Sequence, residues 1–98
     1  MAIAIVMDFK GGTLAQYDKV IKKMGFKPGG KGSPEGFFHW VTKTPDGIRV
    51  TDVWKTKAAF EKFAQEQIGP VTAAEGMAPP SMQFFDVHNH LVTVKPTD

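Results

Sequence analysis

Three histidines, His39, His88 and His90, are the side chains in this chain best suited to moving a proton near neutrality or ligating a metal. His39 sits in an extended apolar stretch, with Phe37 and Val41 expected on its face. From there it can act as a general base toward a phenol or an enolisable carbon. A buried neutral histidine bonded to a neighbour would leave the same trace in the sequence. His88-Asn89-His90 puts two imidazoles on one side of a strand, because side chains alternate along it, and Asp86 shares that side. Two imidazoles and a carboxylate can hold zinc or iron, with His39 as a further ligand. His-x-His also arises readily by chance. The plainer reading has one histidine lining a pocket and the other facing water, and no metal is assigned.

Asp52 alternates with Val50 and Trp54 and shares their face. Buried there, its carboxylate must be paired or hydrogen-bonded. It either orients a histidine or pairs with Arg49 or a lysine at the strand edge. Tyr17 lies on the apolar stripe of a helix, where its ring is core and its hydroxyl still needs a partner. Trp54, Phe63 and Trp40 are candidates for an aromatic wall against a flat hydrophobic ligand, and equally for ordinary core. A pocket in a fold of this kind is a hollow in the core, so the two readings are compatible. His39, His88 and Asp52 are therefore the candidate catalytic residues, and Tyr17, Trp54, Phe63 and Trp40 the candidate ligand contacts.

These residues need elements to hold them. Ala2 to Phe9, rich in isoleucine and valine, reads as a first strand with both faces covered. Thr13 caps a helix from Leu14 to about Met24, with Leu14, Tyr17, Val20, Ile21 and Met24 on its apolar stripe and Gly25 ending it. Residues 27–36 hold Pro28-Gly29-Gly30-Lys31-Gly32-Ser33-Pro34 and read as a mobile loop. Phe37 to Thr44 and Ile48 to Lys55 form a hairpin around Pro45-Asp46-Gly47. Thr56 caps a second helix to about Ile68, which Gly69-Pro70 breaks, with another turn over Val71 to Glu75. Ser81 to about Leu91 is the last strand, and 95–98 a frayed tail.

The order is β-α-β-β-α-β in a single domain spanning 1–98. It implies an α+β, ferredoxin-like fold: a four-stranded antiparallel sheet with both helices on one face. The other face would carry apolar side chains from all the strands. A monomer seldom exposes such a patch, so a homodimer through that face is expected.

Composition removes several function classes. The chain has no cysteine, which excludes disulfides, thiolate metal sites and cysteine nucleophiles, and fits a reducing cytoplasm. Its formal charge is +2, with Arg49 the one arginine. Nucleic-acid binding wants an arginine-rich stripe or an aromatic platform in a basic groove, and neither is present. Lys19, Lys22, Lys23, Lys27 and Lys31 read as a solvated helix face and loop. The apolar run at the start is too short for a signal peptide or a membrane span. Gly29-Gly30-Lys31-Gly32-Ser33 lacks the spacing of a phosphate loop, and no serine sits in a nucleophile elbow.

The segment Asp52-Val53-Trp54-Lys55-Thr56-Lys57-Ala58-Ala59-Phe60 resembles the antibiotic-biosynthesis-monooxygenase type of dimeric α/β barrel, and the order of elements fits it from Ala2 to Leu91. The resemblance implies a ligand between sheet and helices. It brings in cofactor-independent oxygenases acting on polycyclic phenols, haem-degrading enzymes, polyketide cyclases and isomerases. Haem degradation is set aside: the positions of that branch's second tryptophan and haem-ligating histidine hold Phe63 and Ala73, and Asp8 stands nearest its strand-one asparagine. The expectation is a cofactor-independent monooxygenase, cyclase or isomerase acting on an aromatic or polyketide-like hydrophobic small molecule. The alternatives are a non-catalytic metabolite-binding or accessory protein, and a metal site at His88 and His90.

Overall fold

The computed structural model of the chain describes residues 1–93. The tail expected at 95–98 lies outside the described residues. The elements are β1 (Ile3–Lys10), α1 (Leu14–Met24), β2 (Gly36–Thr44), β3 (Gly47–Trp54), α2 (Lys57–Phe63), a π turn (Ala64–Ile68), α3 (Gly69–Ala74) and β4 (Ser81–Asp86). The sheet has four strands in the order β2-β3-β1-β4, and every neighbouring pair is antiparallel. This is the ferredoxin-like βαββαβ arrangement that the sequence implies.

Alternation divides the sheet into two unlike faces. Ile3, Ile5, Met7 and Phe9 of β1 and Ile48, Val50, Asp52 and Trp54 of β3 turn toward the helices and are buried. Val20, Phe60, Ile68 and Met77 close the core against them. Ala4, Val6 and Asp8 on the opposite face are only half-buried. The expectation that both faces of β1 are covered therefore fails within one chain, because no element of the described residues crosses that side.

Helix α1 begins with a reciprocal cap. The Thr13 side chain accepts the Gln16 amide at 3.1 Å, and Gln16 Oε1 accepts the Thr13 amide at 3.0 Å. It ends at Gly25, whose φ of 86° is left-handed. Gln16 Nε2 also donates to the Glu75 carbonyl at 3.1 Å, and Lys23 pairs with the Glu75 carboxylate at 2.5 Å. These bonds tie both ends of α1 to the end of α3 and so fix the helix that carries Tyr17.

The break expected at Gly69-Pro70 does not occur. The helical path continues through the π turn, where the Gly69 amide bonds Ala64 O, five residues back. Pro70 has no amide to offer the preceding turn, and a widened turn accommodates it. Packing demands the same widening. Phe60, Ala64, Ile68 and Thr72 recur every fourth residue and are buried or half-buried. An α-helix would rotate such a row by roughly 40° per step, and the π turn takes up that drift. Thr72 Oγ1 then donates to the Ile68 carbonyl at 2.6 Å.

Two strand boundaries also depart from expectation. The β2–β3 register shifts between Gly36, opposite Trp54, and Phe38, opposite Val53, so Phe37 is an inserted bulge residue and does not share a ladder face with His39. Strand β4 stops at Asp86 instead of reaching Leu91. Its neighbour β1 begins at Ile3, opposite Asp86, and after one further bond, Val87 N–H to Ala2 O at 3.0 Å, there is no strand left to pair with.

Candidate active site

Cross-strand register brings His39 of β2 opposite Asp52 of β3, on the helix-covered face. Asp52 is 3% exposed, and a carboxylate that far from water needs all its acceptor sites answered. His39 Nδ1 lies 2.6 Å from Oδ1, and the Trp54 indole N–H donates to Oδ2 at 3.0 Å. A carboxylate can only accept, so the proton of a neutral His39 sits on Nδ1. Nε2 is then an acceptor, and the Tyr17 hydroxyl on α1 donates to it. The phenol and imidazole rings lie within 10° of parallel, 5.8 Å between centroids. A continuous hydrogen-bonded line thus runs Trp54–Asp52–His39–Tyr17. Among the described residues no buried side-chain nitrogen or oxygen lacks a partner.

The line runs from dry to wet. The Asp52 side chain is 4% exposed and that of His39 38%, because β2 is an edge strand. Burial pushes the Tyr17 phenol up to about 12, helped by the negative charges of Asp52 and Asp18. Tyr17 is therefore a neutral hydroxyl at ordinary pH. It can pass a proton along the line, and it resists carrying a charge itself.

Beside this line lies a groove of about 470 Å³, inside the range that small-molecule sites occupy. Met24 at the end of α1, Phe26 just after it, Pro34 of the loop, and Trp54, Ala59 and Phe63 form its apolar walls, while Ser33, Glu35, Lys62, Glu66 and Gln67 supply its polar rim. Tyr17 and His39 do not line it. Trp54 is the shared member: its N–H holds Asp52 and its ring packs 5.0 Å from Phe63 and faces the groove. Gly36 makes that ring position feasible, since a Cβ there would fall 3.1 Å from the indole.

The structure thus gathers Tyr17, His39, Asp52 and Trp54 into one network, with Phe63 against it. It places two other candidates elsewhere. Trp40 pairs with Thr51 on the opposite face of the sheet, 43% exposed, and cannot join a wall with Trp54 and Phe63. His88 and His90 lie beyond the end of β4 and are exposed. The alternative grouping of His88, His90 and Asp86 with His39 is not assembled: His39 is engaged by Tyr17 and Asp52, and among the described residues no three His, Asp or Glu side chains are placed to hold a metal. Of the two partners weighed for Asp52, the histidine is found. Arg49 instead grips Asp8 on the bare face, at 2.7 and 3.2 Å. The role of the Trp54 N–H was missed, although Asp52-x-Trp54 on a strand already places both side chains on one face.

No protein-family model matches the chain, and no curated protein matches it in sequence. Two solved structures share its fold over nearly the whole length. One, from Chloroflexus aurantiacus, is described as a candidate antibiotic biosynthesis monooxygenase; it is 18% identical, with a TM-score of 0.60 covering 95% of this chain and all of the other. The second, from Deinococcus radiodurans and described in the same terms, is 8% identical, with a TM-score of 0.56 over 97% of this chain and all of its own. At these identities the likeness establishes the fold, and the chemistry has to be argued from the side chains.

Proposed function

We propose that this chain is a small-molecule enzyme of the cofactor-independent monooxygenase, cyclase or isomerase type, in which Tyr17, His39 and Asp52 relay a proton to and from an aromatic or polyketide-like substrate. The observation that carries the reading is Asp52. A nearly dry carboxylate held by His39 on one oxygen and Trp54 on the other orients the imidazole through its Nδ1. That is how a neutral histidine is made a directional base.

In this mechanism the acidic O–H or C–H of the substrate gives its proton to the Tyr17 oxygen. Tyr17 passes its own proton to His39 Nε2, and an imidazolium forms against Asp52. Tyr17 never has to exist as a free phenolate, which its burial opposes. The substrate is left as an enolate or phenolate. It can isomerise, close a ring, or, in an oxygenase, reduce oxygen directly. The groove beside Trp54 holds the rings, and the reacting edge reaches past Trp54 to Tyr17.

Deuterium exchange at the methylene carbon of anthrone, an enolisable tricyclic ketone, tests the proposal by proton NMR. The wild type should accelerate exchange, and His39→Ala and Tyr17→Phe should each lose the acceleration. Exchange that persists in both variants overturns the relay.

One observation favours a second reading, a binding protein without turnover: the relay does not itself line the groove. In that case native mass spectrometry would find a retained ligand, and no relay variant would alter its fate.

The proposed assembly is a pair of chains joined through the bare face. Ala4, Val6, Phe38, Val53 and Phe85 lie there with Trp40, and Trp40 and Phe85 are 43% and 55% exposed in the single chain. Sedimentation should give a dimer for the wild type and a monomer for Trp40→Glu; a wild-type monomer at micromolar concentration removes this part of the proposal. Among the described residues no helix is long and apolar enough to cross a membrane.

A further inference from the structure

We propose that Trp54 is the positioning residue of the relay: its indole N–H holds Asp52 in the one orientation that keeps His39 as the Nδ1–H tautomer. The inference rests on the reading of Tyr17, His39 and Asp52 as a proton relay.

Three observations meet at this side chain. First, Trp54 donates to Asp52 Oδ2 at 3.0 Å in a buried setting, leaving Oδ1 to face His39 Nδ1 at 2.6 Å. Without the indole, Oδ2 has no other side-chain partner among the described residues, and the carboxylate must turn to find one. Any such turn loosens the Oδ1 bond that selects the tautomer. Second, the ring is clamped on several sides. Phe60 meets it edge-on at 5.9 Å, Phe63 packs at 5.0 Å, and Gly36 lies so close that an added methyl would stand 3.1 Å from the indole. A side chain held this way has little rotamer freedom, so its N–H points in one direction. Third, the end of the loop, just before the bulge of β2, is tied to the chain next to Trp54. The Lys55 amide donates to Glu35 O at 2.9 Å and the Gly36 amide to Ser33 O at 3.0 Å. Trp54 therefore stands opposite the residue before the bulge, next to the loop's anchor at Lys55, and lines the groove wall.

The consequence is specific to tautomer. With the proton on Nδ1, Nε2 is an acceptor and can draw the proton of Tyr17. In the other tautomer Nε2 would donate, Tyr17 would have to accept, and the relay would be blocked in its resting state. Trp54 touches none of the transferring protons. It acts through Asp52, and because its ring also lines the groove, a bound ring system loads the same side chain.

The test is a nitrogen-15 NMR spectrum of the histidine side chains in folded wild type, Trp54→Phe and Gly36→Ala, at a pH where His39 is neutral. Wild type should show His39 protonated on Nδ1 alone. Trp54→Phe keeps an aromatic ring and deletes the N–H, so the Nε2–H tautomer should become populated. Gly36→Ala leaves every relay side chain in place and presses only on the indole. It should move the same two nitrogens in the same direction, by less, and it decides the matter if Trp54→Phe does not fold. A wild-type tautomer signature in every variant that folds overturns the proposal. The spectrum needs no substrate. It can therefore fail while anthrone exchange still depends on His39, and it can succeed when no exchange is seen.

Discussion

Strands β1 and β3 carry two carboxylates to opposite sides of the same sheet, and the two behave as different chemical objects. Asp8 faces Arg49 across the ladder on the bare side, in a two-point grip whose partners are 37% and 50% exposed. The Asp52 side chain, on the covered side, is 4% exposed and held by an imidazole and an indole. In the single chain Asp8 has formal charge, good geometry and ready access to water, so losing its partner there costs little: water replaces it. Asp52 has no such replacement, and its partners are groups that can hold or donate a single proton. The difference teaches that a carboxylate becomes useful for proton chemistry where burial ties its state to that of its neighbour. The pairing distance alone does not separate the two sites.

The largest effect is expected at Asp52 itself. Asp52→Ala strips partners from the Trp54 N–H and the His39 Nδ1–H. It should cost about 1–3 kcal/mol for the group left buried, read as a lower urea midpoint. If Asp52→Ala matches wild type, the buried side is no more constrained than the exposed one.

A second effect concerns Tyr17, the only tyrosine of the chain, so that alkaline absorbance titration reads it alone. Its folded value of about 12 lies above the ordinary phenol value of 10.0. The sign follows from linkage: the contribution of the protonated phenol to stability is complete below pH 10, and is lost as pH rises toward 12. The native protein should ionise late and the urea-unfolded chain near the ordinary value. Asp52→Asn should bring the native midpoint down, because the Asp52 charge is the second cause of the rise after burial. An unchanged midpoint in Asp52→Asn would detach Tyr17 from the carboxylate.

The smallest effect is expected at the exposed pair. Asp8→Asn should leave the neutral-pH urea midpoint and the His39 nitrogen-15 signature as in wild type, and a change in that signature would mean the two faces are electrically coupled.

Much of the covered side was legible because it depends on alternation and caps. Asp52 and Trp54 are two apart on a strand, Tyr17 lies on a helical stripe, and Thr13, Gly25 and Thr56 mark helix ends, so each could be placed from its near neighbours. The misplacements came from facts that belong to other strands or turns. Grouping Trp40 with Trp54 by residue type puts it on the wrong face, since it follows His39 by one residue and must point the opposite way. Phe37 left the His39 face because of a bulge that only the pairing with β3 reveals. His88 falls off the last strand because that strand's length is set by where β1 begins. Gly69-Pro70 looks like a stop, and only the four-residue burial rhythm from Phe60 to Thr72 shows why a π turn carries the helix through.

The most direct measurement is the rate of anthrone methylene exchange in wild type, His39→Gln and Arg49→Gln, side by side. The expected result is a loss of about 10²-fold or more in His39→Gln, with Arg49→Gln at the wild-type rate. A wild-type rate in His39→Gln, or a matching loss in Arg49→Gln, would contradict the assignment of proton chemistry to the covered face.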